Sequence, residues 1–157
     1  LLTAFLASAF IGLFEATIQQ VVALAVLMPI VASMGGIAGS QTLTLIVRGL
    51  ALGQVSSANL KALLTKEFKV GVLNGILWAI VIGAITGFWF DNMMLGLVIS
   101  MAIVANIISA ALAGVFIPVI LVRFKIDPAL SGSVILTTVT DIVGFVAFLG
   151  LGTLFLL

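Results

Sequence analysis

Cysteine, histidine and tyrosine are absent from the 157 residues, and charge is scarce, at 7% of the chain. Without cysteine there are no disulfides and no thiolate metal sites, and without histidine there is no imidazole ligand or imidazole acid–base chemistry. Any ion this chain handles must meet oxygen. The six basic and five acidic residues leave a net charge of +1 with no basic run interleaved with aromatics, so the electrostatic footprint of nucleic-acid binding is missing. No basic stretch followed by a small-residue cleavage site opens the chain, so residues 1–14 read as part of a membrane span rather than as a removable signal.

Apolar residues fill the space that charge leaves. They make up 64% of the sequence, and mean hydropathy is +1.49, where a soluble domain carries about 25% charged residues. A bilayer core about 30 Å thick takes about 20 apolar residues per helical crossing, so the chain is expected to be one all-α integral-membrane domain, residues 1–157. Residues 70–90 and 93–122 run without a charge. Residues 128–157 carry only Asp141, and residues 1–47 carry only Glu15 and are long enough for two passes. That predicts five transmembrane helices, with the first break at residues 15–20, where Glu15, Thr17, Gln19 and Gln20 cluster.

The basic residues test the count. Arg48, Lys61, Lys66 and Lys69 fall between spans two and three, and Arg123 and Lys125 fall between spans four and five. Short loops rich in lysine and arginine stay cytoplasmic, and five alternating crossings put both loops on that side. The expected topology is a cytoplasmic N-terminus and an external C-terminus in the cell membrane. In span three, Gly71/Gly75 and Gly83/Gly87 have the GxxxG spacing that brings helix backbones together, and Trp89 is placed to anchor its outer end.

Asp141 is the residue that calls for explanation. It lies fourteen residues beyond Asp127, about 21 Å along a helix, which is near the bilayer midplane if Asp127 marks the boundary. A carboxylate there costs about 2.5–3.5 kcal/mol on insertion scales, and no lysine or arginine falls inside any predicted span. The compensating charge is then a proton or a bound cation. Thr137, Asp141 and Gly144 stand at i, i+4 and i+7 on one helical face. Thr137 brings a hydroxyl, although threonine in a membrane helix often only bonds its own backbone. Asp127 before Pro128 is the ordinary start of a helix, and it also sets a carboxylate at the mouth of any route past Asp141.

Gly35, Gly36 and Gly39 in SMGGIAGSQT allow close packing or a helix break, and a break at membrane depth would imply a cavity or pore. No phosphate loop is present, since the lysine and preceding strand are missing. Asn106 and Glu15 are second-rank candidates, with an interhelical hydrogen bond and a surface-facing carboxylate as their plainer alternatives.

PIVASMGGIAGSQTLTLIVRGLALG and DPALSGSVILTTVTD resemble the membrane domain of the MgtE magnesium channel family, and the resemblance runs over nearly the whole chain. It implies a homodimer in the lipid bilayer with the pore at the subunit interface, and a hydrated Mg²⁺ or other divalent ion as cargo. It also implies a metal site of Asp141 with Thr137 and Gly144, and a further metal-binding role for Asp127. Family members add a cytosolic region with CBS modules, so the chain resembles either a minimal relative or an excised membrane domain. Two positions depart from the family pattern: Ile37 replaces the amide of GGNxG, and Ser133-Val134 stands where Asn-Pro or Gly-Pro is frequent.

Magnesium dehydrates reluctantly and is held through its waters by one or two carboxylates, so one aspartate per subunit suffices across a twofold axis. The rival reading is a carrier in which Asp141 alternates between Mg²⁺ and H⁺ or Na⁺. A non-transporting anchor leaves the buried acid unexplained, and an enzyme lacks any catalytic constellation.

Overall fold

Glu67, Gly71, Gly75, Ala79, Gly83 and Gly87 recur every four residues, which in an α-helix makes a single ridge of mostly small side chains. In the computed structural model, which describes all 157 residues, that ridge is the buried face of a helix, and the bulky residues Leu73, Leu77, Ile80 and Phe88 face outward. Small inside and large outside is the pattern of a helix solvated by lipid, where close backbone approach drives packing.

Six helices form in order: α1 (Leu2–Gly12), α2 (Glu15–Gln20), α3 (Ala23–Ala51), α4 (Leu60–Trp89), α5 (Met93–Arg123) and α6 (Pro128–Leu156). The last four are long and apolar enough to cross a membrane. The expected first span, residues 1–14, is the short helix α1, and the expected break at 15–20 is itself the helix α2. Leu13 and Phe14 lie between them, and a second turn at Val21 separates α2 from α3, so the break flanks the predicted 15–20 segment on both sides. Thr17 of α2 and Thr153 of α6 share a hydrogen bond of 2.8 Å that holds this segment to the bundle.

The caps explain where the long helices stop. Gly53 (φ +66°) ends α3, with Gln54 N–H donating to Gly49 O at 2.8 Å and Gly53 N–H to Leu50 O at 3.1 Å. The same Schellman pairing closes α5: Ile126 N–H reaches Leu121 O and Lys125 N–H reaches Val122 O, but the left-handed position is held by Lys125 at φ 59°. Asn92 caps α5 through Leu95 N–H at 3.1 Å.

Helix α5 is the centre of the bundle. It packs on α3, α4 and α6, and α3 also packs on α6, whereas α3 and α4 barely meet. A Cβ added at Gly96 of α5 would lie 2.5 Å from Gly83 O, and one at Gly75 would lie 3.3 Å from Val104 Cα, which measures how closely α4 and α5 approach. Ser100 Oγ donates across the same seam to Ala79 O at 2.8 Å. Between α3, α5 and α6 lies the apolar core, built around Leu24, Leu27, Val31, Ile99, Ile103 and Phe148. Since α3 and α5 run one way and α4 and α6 the other, all six basic residues gather at one end of the bundle with Asp127.

Candidate ion site on the last long helix

Helix α6 begins as its sequence dictates. Asp127 takes extended backbone, its Oδ1 accepts from Ala129 N–H at 2.8 Å, and Pro128 occupies the first turn, where its missing N–H costs nothing. From there Gly132, Leu136, Thr140, Gly144, Phe148 and Gly152 form a buried i+4 ridge. It interlocks with α3: Leu43 fills the space over Gly132, Leu136 the space over Gly39, and Leu24 the space over Gly152.

Ser133, Thr137 and Asp141 form the neighbouring i+4 row, beside the ridge. Thr137 is exposed on the single chain, Asp141 is half-buried and Gly144 is buried. The structure therefore brings Thr137 and Asp141 together along one edge of the contact and sets Gly144 just inside it. Thr137 Oγ donates back to Ser133 O at 3.0 Å and Val134 O at 3.1 Å, Thr138 Oγ to Val134 O at 2.8 Å, and Thr140 Oγ to Thr137 O at 3.1 Å. These protons are spent on the backbone, which leaves the Thr137 and Thr138 oxygens available as acceptors, while Thr140 is wholly buried. Asp141 takes part in none of the side-chain hydrogen bonds of α6. Helix α6 stays regular through both Thr137 and Gly144, so no carbonyl is released by a local break.

The space above Gly144 is filled. A Cβ there would come within 2.6 Å of Asn106 Nδ2 and 3.2 Å of Val31 Cγ1. Asn106, wholly buried in α5, donates from Nδ2 to Val31 O at 2.8 Å and also presses on Gly35, where a Cβ would overlap it. Its Oδ1 is sealed from solvent and has no partner. The interhelical role read for Asn106 is thus present, and it ties α3, α5 and α6 together one turn from Asp141. The Gly35–Gly39 run holds no break: α3 is continuous, and Gly35 and Gly39 serve as sockets for Asn106 and Leu136.

One acid escaped the sequence reading. Glu67 sits among Lys61, Lys66 and Lys69 and looks like part of a solvated charged turn, yet it is only 8% exposed and accepts from Thr42 Oγ at 3.1 Å. The signal was its register, four residues before Gly71 on the small-residue ridge.

Four long apolar helices, packed through glycine and serine and presenting bulky side chains outward, define a polytopic integral-membrane protein. Residues 28–151 match the family model MgtE, described as a divalent cation transporter, and the chain belongs to that family, which is one of transporters rather than enzymes. It is 32% identical over 146 residues to the magnesium transporter MgtE of Bacillus subtilis, covering 93% of this chain and 32% of that protein. Against the Thermus thermophilus magnesium transporter MgtE it is 31% identical over 157 residues, covering 99% and 34%. The Enterococcus faecalis protein of the same name is 29% identical over 143 residues, covering 91% and 32%. The chain spans about a third of the length of these relatives.

Proposed function

We propose that residues 1–157 act as a single membrane domain that passes Mg²⁺ as a hydrated ion, in the manner of a channel, with Asp141 as the central acidic site. The observation that carries this reading is a half-buried carboxylate in the middle of an apolar helix, on a row with Thr137, bonded to nothing on its own helix, while every cation of the chain lies at one end of the bundle. A hydrated divalent ion supplies the missing charge and reaches the outward threonine oxygens through its waters. Gly144 admits the Asn106 side chain beside this row, and Asp127 stands at the first turn of α6, at the mouth of the route on the basic side.

A single chain holds no group of three carboxylates that could bind a metal ion. A homodimer that faces two copies of the Ser133–Thr137–Asp141 row across a twofold axis would pair two carboxylates, enough for an ion that keeps its waters, and repulsion between them favours a divalent one. Counting α1 and α2 as the remainder of a fifth crossing, and placing the basic end in the cytoplasm of a cell-membrane protein, gives an N-terminus inside and a C-terminus outside.

The test is Mg²⁺ uptake into liposomes carrying the purified chain. Asp141→Ala is expected to abolish uptake while the protein elutes at its parent size, and unchanged uptake removes Asp141 from the pathway. Uptake that requires an opposing H⁺ or Na⁺ gradient would replace the channel with a carrier.

A further inference from the structure

Helices α3 and α4 follow one another in sequence but leave a gap, because each packs on α5 instead. The gap is a cavity of about 240 Å³ near the basic end of the bundle. Gln41 and Thr42 of α3 and Glu67 and Asn74 of α4 face each other across it, over a floor of Ile107 and Ala111 from α5. Four oxygen-bearing side chains thus meet in a space with an apolar floor.

Glu67 makes the cavity more than a packing defect. Its Oε2 accepts the Thr42 hydroxyl, which holds the carboxylate in one orientation. Its Oε1 takes no hydrogen bond, yet the one unpartnered polar side-chain atom sealed from solvent in the whole chain is Asn106 Oδ1. Oε1 therefore opens into the cavity. A carboxylate that is over nine-tenths buried, with one oxygen tied and the other free, needs a positive partner at the free oxygen. Lys66 reaches the rim, but it also lies along the outer Lys61–Lys69 face of α4.

We propose that Glu67, Thr42, Gln41 and Asn74 form a second cation site, separate from Asp141, which takes a divalent cation with part of its water shell. One carboxylate, one hydroxyl and two amide oxygens are all hard donors, and none can replace the several waters that magnesium keeps. At about 30 Å³ per water, the cavity has room for them. The inference makes no use of the role given to Asp141.

The absence of cysteine makes a clean probe available. A trifluoromethyl tag on Leu45→Cys, which borders the cavity, is placed in a chain also carrying Asp141→Asn and Asp127→Asn, and Mn²⁺ is titrated while the fluorine line is followed. The expected result is broadening reversed by excess Mg²⁺. Glu67→Gln, whose amide oxygen still accepts from Thr42, should raise the Mn²⁺ required at least tenfold, and Gln41→Leu and Asn74→Leu several-fold each. Lys66→Gln should lower it if the lysine competes for the same oxygen. Identical titrations with and without Glu67 overturn the proposal, as does reversal by Na⁺ but not by Mg²⁺. Should Glu67→Gln fail to fold, the two leucine variants at exposed positions decide: no change in either rejects the site.

Discussion

A Cβ at position 35 would overlap the Asn106 carboxamide, whereas one at position 36 would touch nothing within 4 Å. The two adjacent glycines therefore respond oppositely to the same change. Gly35→Ala is expected to lower stability by about 1–3 kcal/mol through overpacking. Gly36→Ala is expected to be neutral or to gain up to about 1 kcal/mol, since alanine is the better helix former. Thermal unfolding in detergent measures both. Asn106→Ala should cost about 1–2 kcal/mol for the lost interhelical hydrogen bond and the space left behind. Combined with Gly35→Ala it should cost less than the sum, because the clash is gone. At this scale the sequence singles out Asp141 as a lone acid in an apolar run and Asp127 as a cap before proline, and the structure has the first half-buried on α6 and the second at its N-cap. Glu67 was not, since its neighbours in sequence are lysines while its neighbours in space are Thr42 and the α3–α4 gap. Gly144 was legible as small, but what its smallness admits, the Asn106 side chain, depends on a helix far away in sequence.

Among the elements, the α4–α5 seam was the most readable, because the four-residue glycine rhythm of α4 states both the buried face and the closeness of the partner. Its strongest test lies on α5. Gly96→Ala sets a methyl against Gly83 O at 2.5 Å and the Gly87 backbone at 3.2 Å, neither of which is a side chain able to turn aside. A loss of about 2 kcal/mol or more is expected in the same unfolding assay. Gly150→Ala, with nothing within 4 Å, is the control. The end of α5 offers the reverse prediction. Lys125 holds a left-handed conformation that costs an L-residue about 1–2 kcal/mol, and the equivalent position after α3 is Gly53. Lys125→Gly should stabilise the protein by about 1 kcal/mol or less, after the greater freedom of glycine in the unfolded chain is offset. Counting apolar residues anticipated a full first crossing before a break at residues 15–20, where the structure has an eleven-residue helix followed by a second short one. Hydropathy carries no information on the turn at Leu13 and Phe14, which comes from how α1 and α2 lie along α6.

For the molecule as a whole, the sequence disclosed the solvent and the end that bears the positive charge, because both are sums over many residues. The proposed membrane sidedness rests on the second and is open to direct test. Ser57→Cys in the α3–α4 connection and Leu157→Cys at the C-terminus should react with a membrane-impermeant maleimide from opposite faces of intact cells, the first only after the membrane is breached. Reaction of both from outside would refute the arrangement. How α3 and α4 stand to one another was invisible, since adjacency in sequence suggests a paired hairpin where the bundle has a cleft.

That missing pairing has a consequence for assembly. The α3–α4 connection bridges two parts that, apart from the Thr42–Glu67 hydrogen bond, are joined through a common neighbour, so the peptide link itself contributes little to their alignment. Two fragments, one ending and one beginning between Gly53 and Ser57, should find each other in a membrane when expressed together, with α3 slotting onto α5 and α6 as a ready-made docking groove.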